Sequence, residues 1–137
     1  MASSFTRKLE SLQKVIQHLD NVHIQKEIPD EYWVPTVITY FKLSFELSWK
    51  TMKKYMQDRS IEAATTGSPR DILKLAYAEK YILNDELWLD MLEDRNTIEH
   101  QYSEEIPRDI LDRICTIYLV ELKRVCAYLA TLPTNLF

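Results

Sequence analysis

Four side chains of kinds that rarely build a protein core lie close together near residue 100: Arg95, Asn96, His100 and Tyr102. A guanidinium is always charged, an imidazole titrates near neutrality, and a phenol donates or accepts hydrogen bonds. In RNA cleavage without a metal, the 2′-hydroxyl attacks its own phosphate, which requires a proton-moving group and a cation. His100 and Arg95 suit these two tasks. Asn96 can orient the imidazole or bind a phosphate oxygen, and Tyr102 can bind a phosphate or stack on a base.

The same residues also fit a purely structural interpretation, a partly buried ion pair beside a surface histidine. Helical spacing puts Arg95 and Tyr102 along the side that faces the core, while Asn96 and His100 lie about 120° around the helix. Burying an unpaired guanidinium costs several kcal/mol, so Arg95 needs a carboxylate, water or a ligand phosphate.

Glu46 and Lys50 are the second candidate pair. They are four residues apart on a predicted helix, the spacing of an intrahelical ion pair. Glu46 is also a candidate counter-charge for Arg95. Lys50 begins the densest basic patch of the chain, which could guide a phosphate backbone and consists of Lys50, Lys53, Lys54 and Arg59.

Composition limits the class of protein. A chain of 137 residues with 46% hydrophobic and 28% charged residues predicts one domain over residues 1–137. No apolar run approaches the roughly 20 residues that span a bilayer, and the N-terminus lacks a secretory signal, so we expect a cytoplasmic protein without a membrane segment. A net charge of −4 argues against non-specific coating of nucleic acid but allows a local basic pocket.

Cysteine and glycine usage bears on cofactors. Cys115 and Cys126 would lie about 16 Å apart on one helix, beyond disulfide reach, and we interpret both as core residues. Neither has a cysteine or histidine at ligand spacing, so no metal is expected. His18 and His23 suit surface or capping roles, and a single glycine cannot build a phosphate-binding loop, so no cofactor is expected.

The single glycine is also the clearest indication of an all-α fold, because hairpin turns require residues with positive φ. Apolar spacing and the prolines predict an antiparallel four-helix bundle with one short extra helix. The predicted helices run from near Phe5 to Leu19, from Val34 or Pro35 to Gln57, from Pro69 to about Lys80, from an Asn84 cap through Ile98, and from Arg108 to about Leu132.

The predicted second helix is apolar on two sides. One stripe holds Val34, Ile38, Phe41, Phe45, Trp49, Met52 and Met56, and we assign the three tryptophans Trp33, Trp49 and Trp88 to the core. A second stripe, formed by Tyr40, Leu43 and Leu47, either packs under the N-terminal helix or forms a subunit interface.

Three stretches of the chain together resemble the HEPN family. They are residues 45–50 (Phe-Glu-Leu-Ser-Trp-Lys), residues 68–71 (Ser-Pro-Arg-Asp), and residues 88–96 followed by His100, Gln101 and Tyr102. Within that family, the chain looks most like small nucleotidyltransferase substrate-binding subunits, which are encoded beside a minimal nucleotidyltransferase. The resemblance covers nearly the whole chain.

The resemblance implies an HEPN-like bundle that forms a homodimer with both Arg-to-His motifs facing a shared cleft. In relatives that are toxins of toxin–antitoxin pairs, the motif arginine and histidine cleave RNA and the tyrosine is adenylated by the partner. Those roles would fall on Arg95, His100 and Tyr102. Two alternatives remain: a non-catalytic subunit that binds RNA or a nucleotide for its partner nucleotidyltransferase, and a purely structural dimer.

Overall fold

The computed structural model describes residues 3–100 and 106–134, which form a bundle of helices. The elements are α1 Ser4–Val22, α2 Asp30–Asp58, a 3₁₀ turn Glu62–Ala64, α3 Pro69–Ala78, α4 Asp85–His100, α5 Arg108–Arg113, a π turn Ile114–Tyr118, and α6 Leu119–Leu129. The α5 helix, the π turn and α6 run on without a break and are called the C-terminal helix here. Four long helices and the short α3 confirm the predicted all-α architecture.

Side-chain caps begin α3 and α4 where the sequence predicts. The Ser68 hydroxyl accepts from the backbone N–H of Asp71 at 3.3 Å, and the Asp71 carboxylate accepts from the Ser68 N–H in return. The Asn84 side-chain oxygen accepts from the Leu87 N–H at 3.1 Å. These caps satisfy backbone donors that the first helical turn leaves free.

The predicted start of α2 at Val34 or Pro35 is wrong, because the helix begins at Asp30. Pro35 lies inside the helix, where it removes one backbone hydrogen bond. Burial compensates for this loss, since Trp33 is 9% exposed and its indole N–H donates to the Val22 carbonyl at 3.0 Å. The first turn of α2 is therefore fixed by docking on the end of α1.

Several predicted helix ends also differ from the structure, and α1 ends at Val22 rather than Leu19. Helix α3 ends at Ala78 because Lys80 adopts a φ of 67°, which a right-handed helix cannot continue. The C-terminal helix ends at Leu129 rather than near Leu132. None of these differences moves a candidate site residue.

The core forms around α2. Its predicted apolar stripe is buried apart from Val34, which is half-buried, and all three tryptophans are buried. In the second stripe, Tyr40 stacks on His18 of α1 with ring centroids 5.3 Å apart, and Leu47 packs on the core. Leu43 remains 46% exposed, so the interface alternative stays open for this residue alone.

Several smaller predictions are confirmed as well. The His23 imidazole caps the end of α1, 2.7 Å from the Asp20 carbonyl, and both cysteines are free thiols. Burial raises the pKa of the Cys115 and Cys126 thiols. No helix in the described ranges is both long and apolar enough to cross a membrane.

Candidate functional site

Arg95 extends from α4 toward α2 and is largely buried there, with 21% of its side chain exposed. One of its terminal nitrogens, Nη2, forms an ion pair with Oε1 of Glu46. The guanidinium carbon lies 5.8 Å from the centroid of the Phe45 ring, close enough for a cation–π contact. The arginine thus has the counter-charge that burial on a core-facing position requires.

Glu46 is shared between two helices. Its Oε2 accepts from the Trp49 indole N–H at 3.2 Å and lies 3.9 Å from the Lys50 ammonium, while Oε1 faces Arg95. Both predicted partners of Glu46 are therefore present, since it pairs with Lys50 within α2 and with Arg95 of α4. The Glu46 carboxylate would keep the Trp49 and Lys50 contacts if it released Arg95.

A second ion pair joins the same two helices one turn away. Lys42 of α2 lies 2.7 Å from the Glu99 carboxylate of α4, and this hydrogen bond holds the pKa of Glu99 below its ordinary value. Sequence reasoning missed this pair. Its signal is the four-residue spacing of Lys42 before Glu46 and of Glu99 after Arg95 on facing helices.

The two ion pairs border an open cleft of about 440 Å³ between α2 and α4. The lining residues are Thr39, Lys42, Leu43, Glu46, Arg95 and Glu99. Two cations and two carboxylates make the cleft formally neutral while each pair is intact. An anion that binds in the cleft therefore competes with a carboxylate for the cation that it contacts.

The other described residues of the predicted motif, Asn96 and His100, do not line the cleft. The Asn96 side-chain oxygen accepts from Arg95 Nη1 at 3.1 Å, and Asn96 is itself exposed. His100 is exposed and is the last residue of α4. It lies five residues after Arg95, which on one helix means about 7.5 Å along the axis and about 140° around it. Tyr102 lies outside the described residues.

Three of the four residues in the predicted basic patch have partners nearby. Lys50 faces Glu46, and the Lys54 ammonium lies 3.2 Å from the Asp58 carboxylate. Arg59 donates to the Tyr55 hydroxyl at 3.4 Å and lies over its ring. Lys50 is one helical turn beyond Glu46 and does not line the cleft.

A buried polar cluster on the adjoining side of α4 was also missed. Asp94, only 8% exposed, accepts two hydrogen bonds from Arg113 and one from Tyr118. A carboxylate directly before the motif arginine was the available signal, but its partners lie 19 and 24 residues further along the chain. Asp94 therefore connects α4 to the C-terminal helix.

Several solved structures share this architecture. The tri-AMPylated HEPN toxin of Shewanella oneidensis, solved in complex with an MNT antitoxin, matches with a TM-score of 0.76 at 16% identity over 95% of this chain and 98% of that chain. A toxin–antitoxin structure with AMP-PNP gives 0.73 at 15% identity over 96% and 100%. A protein of Thermus thermophilus gives 0.71 at 25% identity over 86% and 98%. The bundle thus has the fold of HEPN toxins.

The sequence defines the family more directly. Residues 2–131 match the family model described as nucleotidyltransferase substrate binding protein like. The chain belongs to this family, which confirms the resemblance identified from its motifs. No curated protein sequence matches the chain significantly.

Proposed function

We propose that this chain is the HEPN subunit of a toxin–antitoxin pair whose other member is a minimal nucleotidyltransferase. In this proposal it acts in the cytoplasm as a metal-independent endoribonuclease, with Arg95 and His100 at a dimer cleft. Its partner neutralises it by adenylating Tyr102. Family membership and the shared fold of two toxin–antitoxin structures support the pairing.

The main support for the proposal is an unsatisfied hydrogen-bond donor on the Arg95 side chain. Its Nε is buried without a hydrogen-bond partner among the described residues, and Glu46 Oε1 likewise makes only the ion pair. A buried donor left unpaired costs about 1–3 kcal/mol, and a shift of the Arg95 side chain that brings this donor to a ligand oxygen would remove that cost. A phosphate offers such oxygens and carries the charge that a guanidinium binds best.

The chemistry assigned to these residues is cleavage by the RNA itself. The 2′-oxygen forms a bond to phosphorus while the bond from phosphorus to the 5′-oxygen breaks. A proton leaves the 2′-hydroxyl and another reaches the 5′-oxygen, and we assign the movement of these protons to His100. Arg95 stabilises the negative charge that grows on the phosphate oxygens.

The geometry of α4 supports a cleft shared by two copies. Arg95 faces α2, whereas His100 is exposed and lies about 140° around the same helix, so the two side chains diverge within one chain. A second copy that presents its His100 to this cleft brings both groups to one phosphate. Exposed Leu43 on the cleft wall offers apolar surface for that contact.

A cleavage assay tests the proposed activity. Purified protein incubated with total RNA and a chelator should cut RNA, and His100→Ala should abolish the cutting. His18→Ala is the matched control, because His18 is also an exposed helical histidine but lies on α1. Intact RNA with the wild-type protein, or equal cutting by His100→Ala, would refute the ribonuclease.

The second candidate is a subunit that binds a nucleotide or RNA for its partner without cleaving it. The divergence of Arg95 and His100 around α4 favours this function, because one chain then offers the arginine for binding without a histidine beside it. It predicts that the wild-type protein binds nucleotide or RNA in a manner that depends on Arg95, while RNA stays intact. Binding measured by calorimetry beside the cleavage assay separates the two candidates.

A further inference from the structure

The cluster formed by buried Asp94 and Tyr118 with partly exposed Arg113 has no role in the chemistry described so far. Arg113 donates to both carboxylate oxygens of Asp94, from Nε at 2.8 Å and from Nη2 at 2.9 Å, and the Tyr118 hydroxyl donates to Oδ2. Burial, and then the bond to Asp94, raise the pKa of Tyr118, so the phenol stays protonated and remains a donor. The Asp94 carboxylate is thus held from two directions.

The π turn brings these two donors together. The Leu119 N–H donates to the Ile114 carbonyl, five residues earlier, instead of four residues earlier as in an α-helix. Arg113 and Tyr118 are also five residues apart, a spacing that would put them about 140° apart around an α-helix. In this wider turn both reach the same carboxylate, and the Tyr118 ring also stacks on Phe41 of α2 at 5.6 Å.

The cluster lies next to the candidate site along the chain, because Asp94 directly precedes Arg95. A second contact joins α4 to the C-terminal helix, where the Trp88 indole N–H donates to the buried carboxylate of Glu121 at 2.8 Å. The C-terminal helix therefore fixes the backbone from which Arg95 extends toward Glu46 and the cleft. Movement of that backbone would displace the guanidinium.

We propose that Asp94, Arg113 and Tyr118 are positioning residues that set the place of the Arg95 guanidinium in the cleft. None of the three needs to contact RNA. The catalytic consequence rests on the proposed ribonuclease function, whereas the structural consequence does not. A displacement of about 1 Å in a catalytic group can cost up to about a hundredfold in rate.

Two matched variants test the inference. Tyr118→Phe and Tyr55→Phe each remove one buried phenol hydroxyl, and the Tyr55 hydroxyl donates to the Pro133 carbonyl at 2.9 Å, away from the cleft. Both should lose similar stability, but only Tyr118→Phe should lower the rate of RNA cleavage, by about tenfold. Adding Asp94→Asn to Tyr118→Phe should cost less than the product of the two single effects, because both act through one carboxylate.

A second readout does not depend on cleavage. The Nε–H resonance of Arg95, assigned by its loss in Arg95→Lys, should shift in Tyr118→Phe and stay in place in Tyr55→Phe. An unmoved Arg95 resonance in Tyr118→Phe, or equal rate losses in both variants, would overturn the inference. If the wild-type protein cuts no RNA, the ribonuclease proposal fails, and the resonance still decides whether the cluster positions Arg95.

Discussion

Arg95 lies between the Phe45 ring and the Glu46 carboxylate, with its Nε lacking a partner in the described ranges. The pairing with Glu46 could be predicted as one alternative, because a buried guanidinium requires a counter-charge. The spacing of Lys42 and Glu99 indicates their pair only once α2 and α4 are known to face each other, because the pair depends on the rotation and register of the two helices. The sequence identifies which charged groups can pair but not which two helices face each other.

Glu46→Gln should strengthen RNA binding. The amide keeps the shape of the side chain but removes the charge that competes with phosphate for Arg95. A partly exposed ion pair is worth up to about 1 kcal/mol, so we expect affinity to rise about two- to fivefold. Fluorescence anisotropy with a short labelled RNA measures the change.

The control for this variant is Asp58→Asn, which frees Lys54 of the same helix from a similar ion pair. Asp58→Asn changes the net charge of the protein by the same amount as Glu46→Gln, but away from the cleft. Equal gains in both variants would mean that only net charge matters. A loss of affinity in Glu46→Gln would show that the carboxylate supports the arginine instead of competing for it.

Among the helices, most of the architecture follows from the sequence. Apolar spacing, the caps at Ser68 and Asn84 and the single glycine are local signals, and local signals suffice for these elements. The early start of α2 has no local sequence signal, since it depends on the docking of Trp33 against α1. The π turn has no such signal either, because its partner Asp94 lies on another helix.

The contact between α2 and α4 should weaken in acid. A carboxyl whose folded pKa lies below its ordinary value, 4.5 for Glu99, stabilises the fold above that value, and the contribution is lost as the pH falls through the folded pKa. Glu99→Gln should therefore be less stable than wild type at pH 7, and the difference should be smaller at about pH 3. The difference at pH 7 should be well under about 1 kcal/mol, because the pair is more than one third exposed.

Urea denaturation at both pH values measures this difference. Glu10→Gln, which changes an exposed glutamate of α1, is the control. A Glu99→Gln penalty that is the same at both pH values would contradict the assignment of the stabilisation to the Lys42 pair.

For the molecule as a whole, the proposed pairing with a nucleotidyltransferase predicts a covalent modification. After co-expression with the proposed partner nucleotidyltransferase, Tyr102 should carry adenylate, and Tyr102→Phe should not. The added negative charge would occupy the place of the RNA phosphate near Arg95 and so block cleavage. Peptide mass spectrometry locates the adduct, and exposed Tyr77 of α3 serves as the internal control. Modified Tyr77 with unmodified Tyr102 would reject the assignment.

The way in which two copies associate is not determined by the helices of one chain or by their caps. The shared cleft is proposed because Arg95 and His100 lie on different sides of α4 within one chain. In the proposed dimer, each active centre would depend on residues from both copies. It also predicts that two inactive variants can complement each other.

Mixing the inactive variants Arg95→Lys and His100→Ala, after unfolding and joint refolding, tests this claim most directly. A heterodimer then contains one cleft with an intact arginine from one copy and an intact histidine from the other. We expect RNA cleavage in chelator to return to about one quarter of the wild-type rate, because half the dimers are mixed and each has one working cleft. No recovery above the separate variants, with heterodimers present, would contradict a cleft built from Arg95 of one copy and His100 of the other.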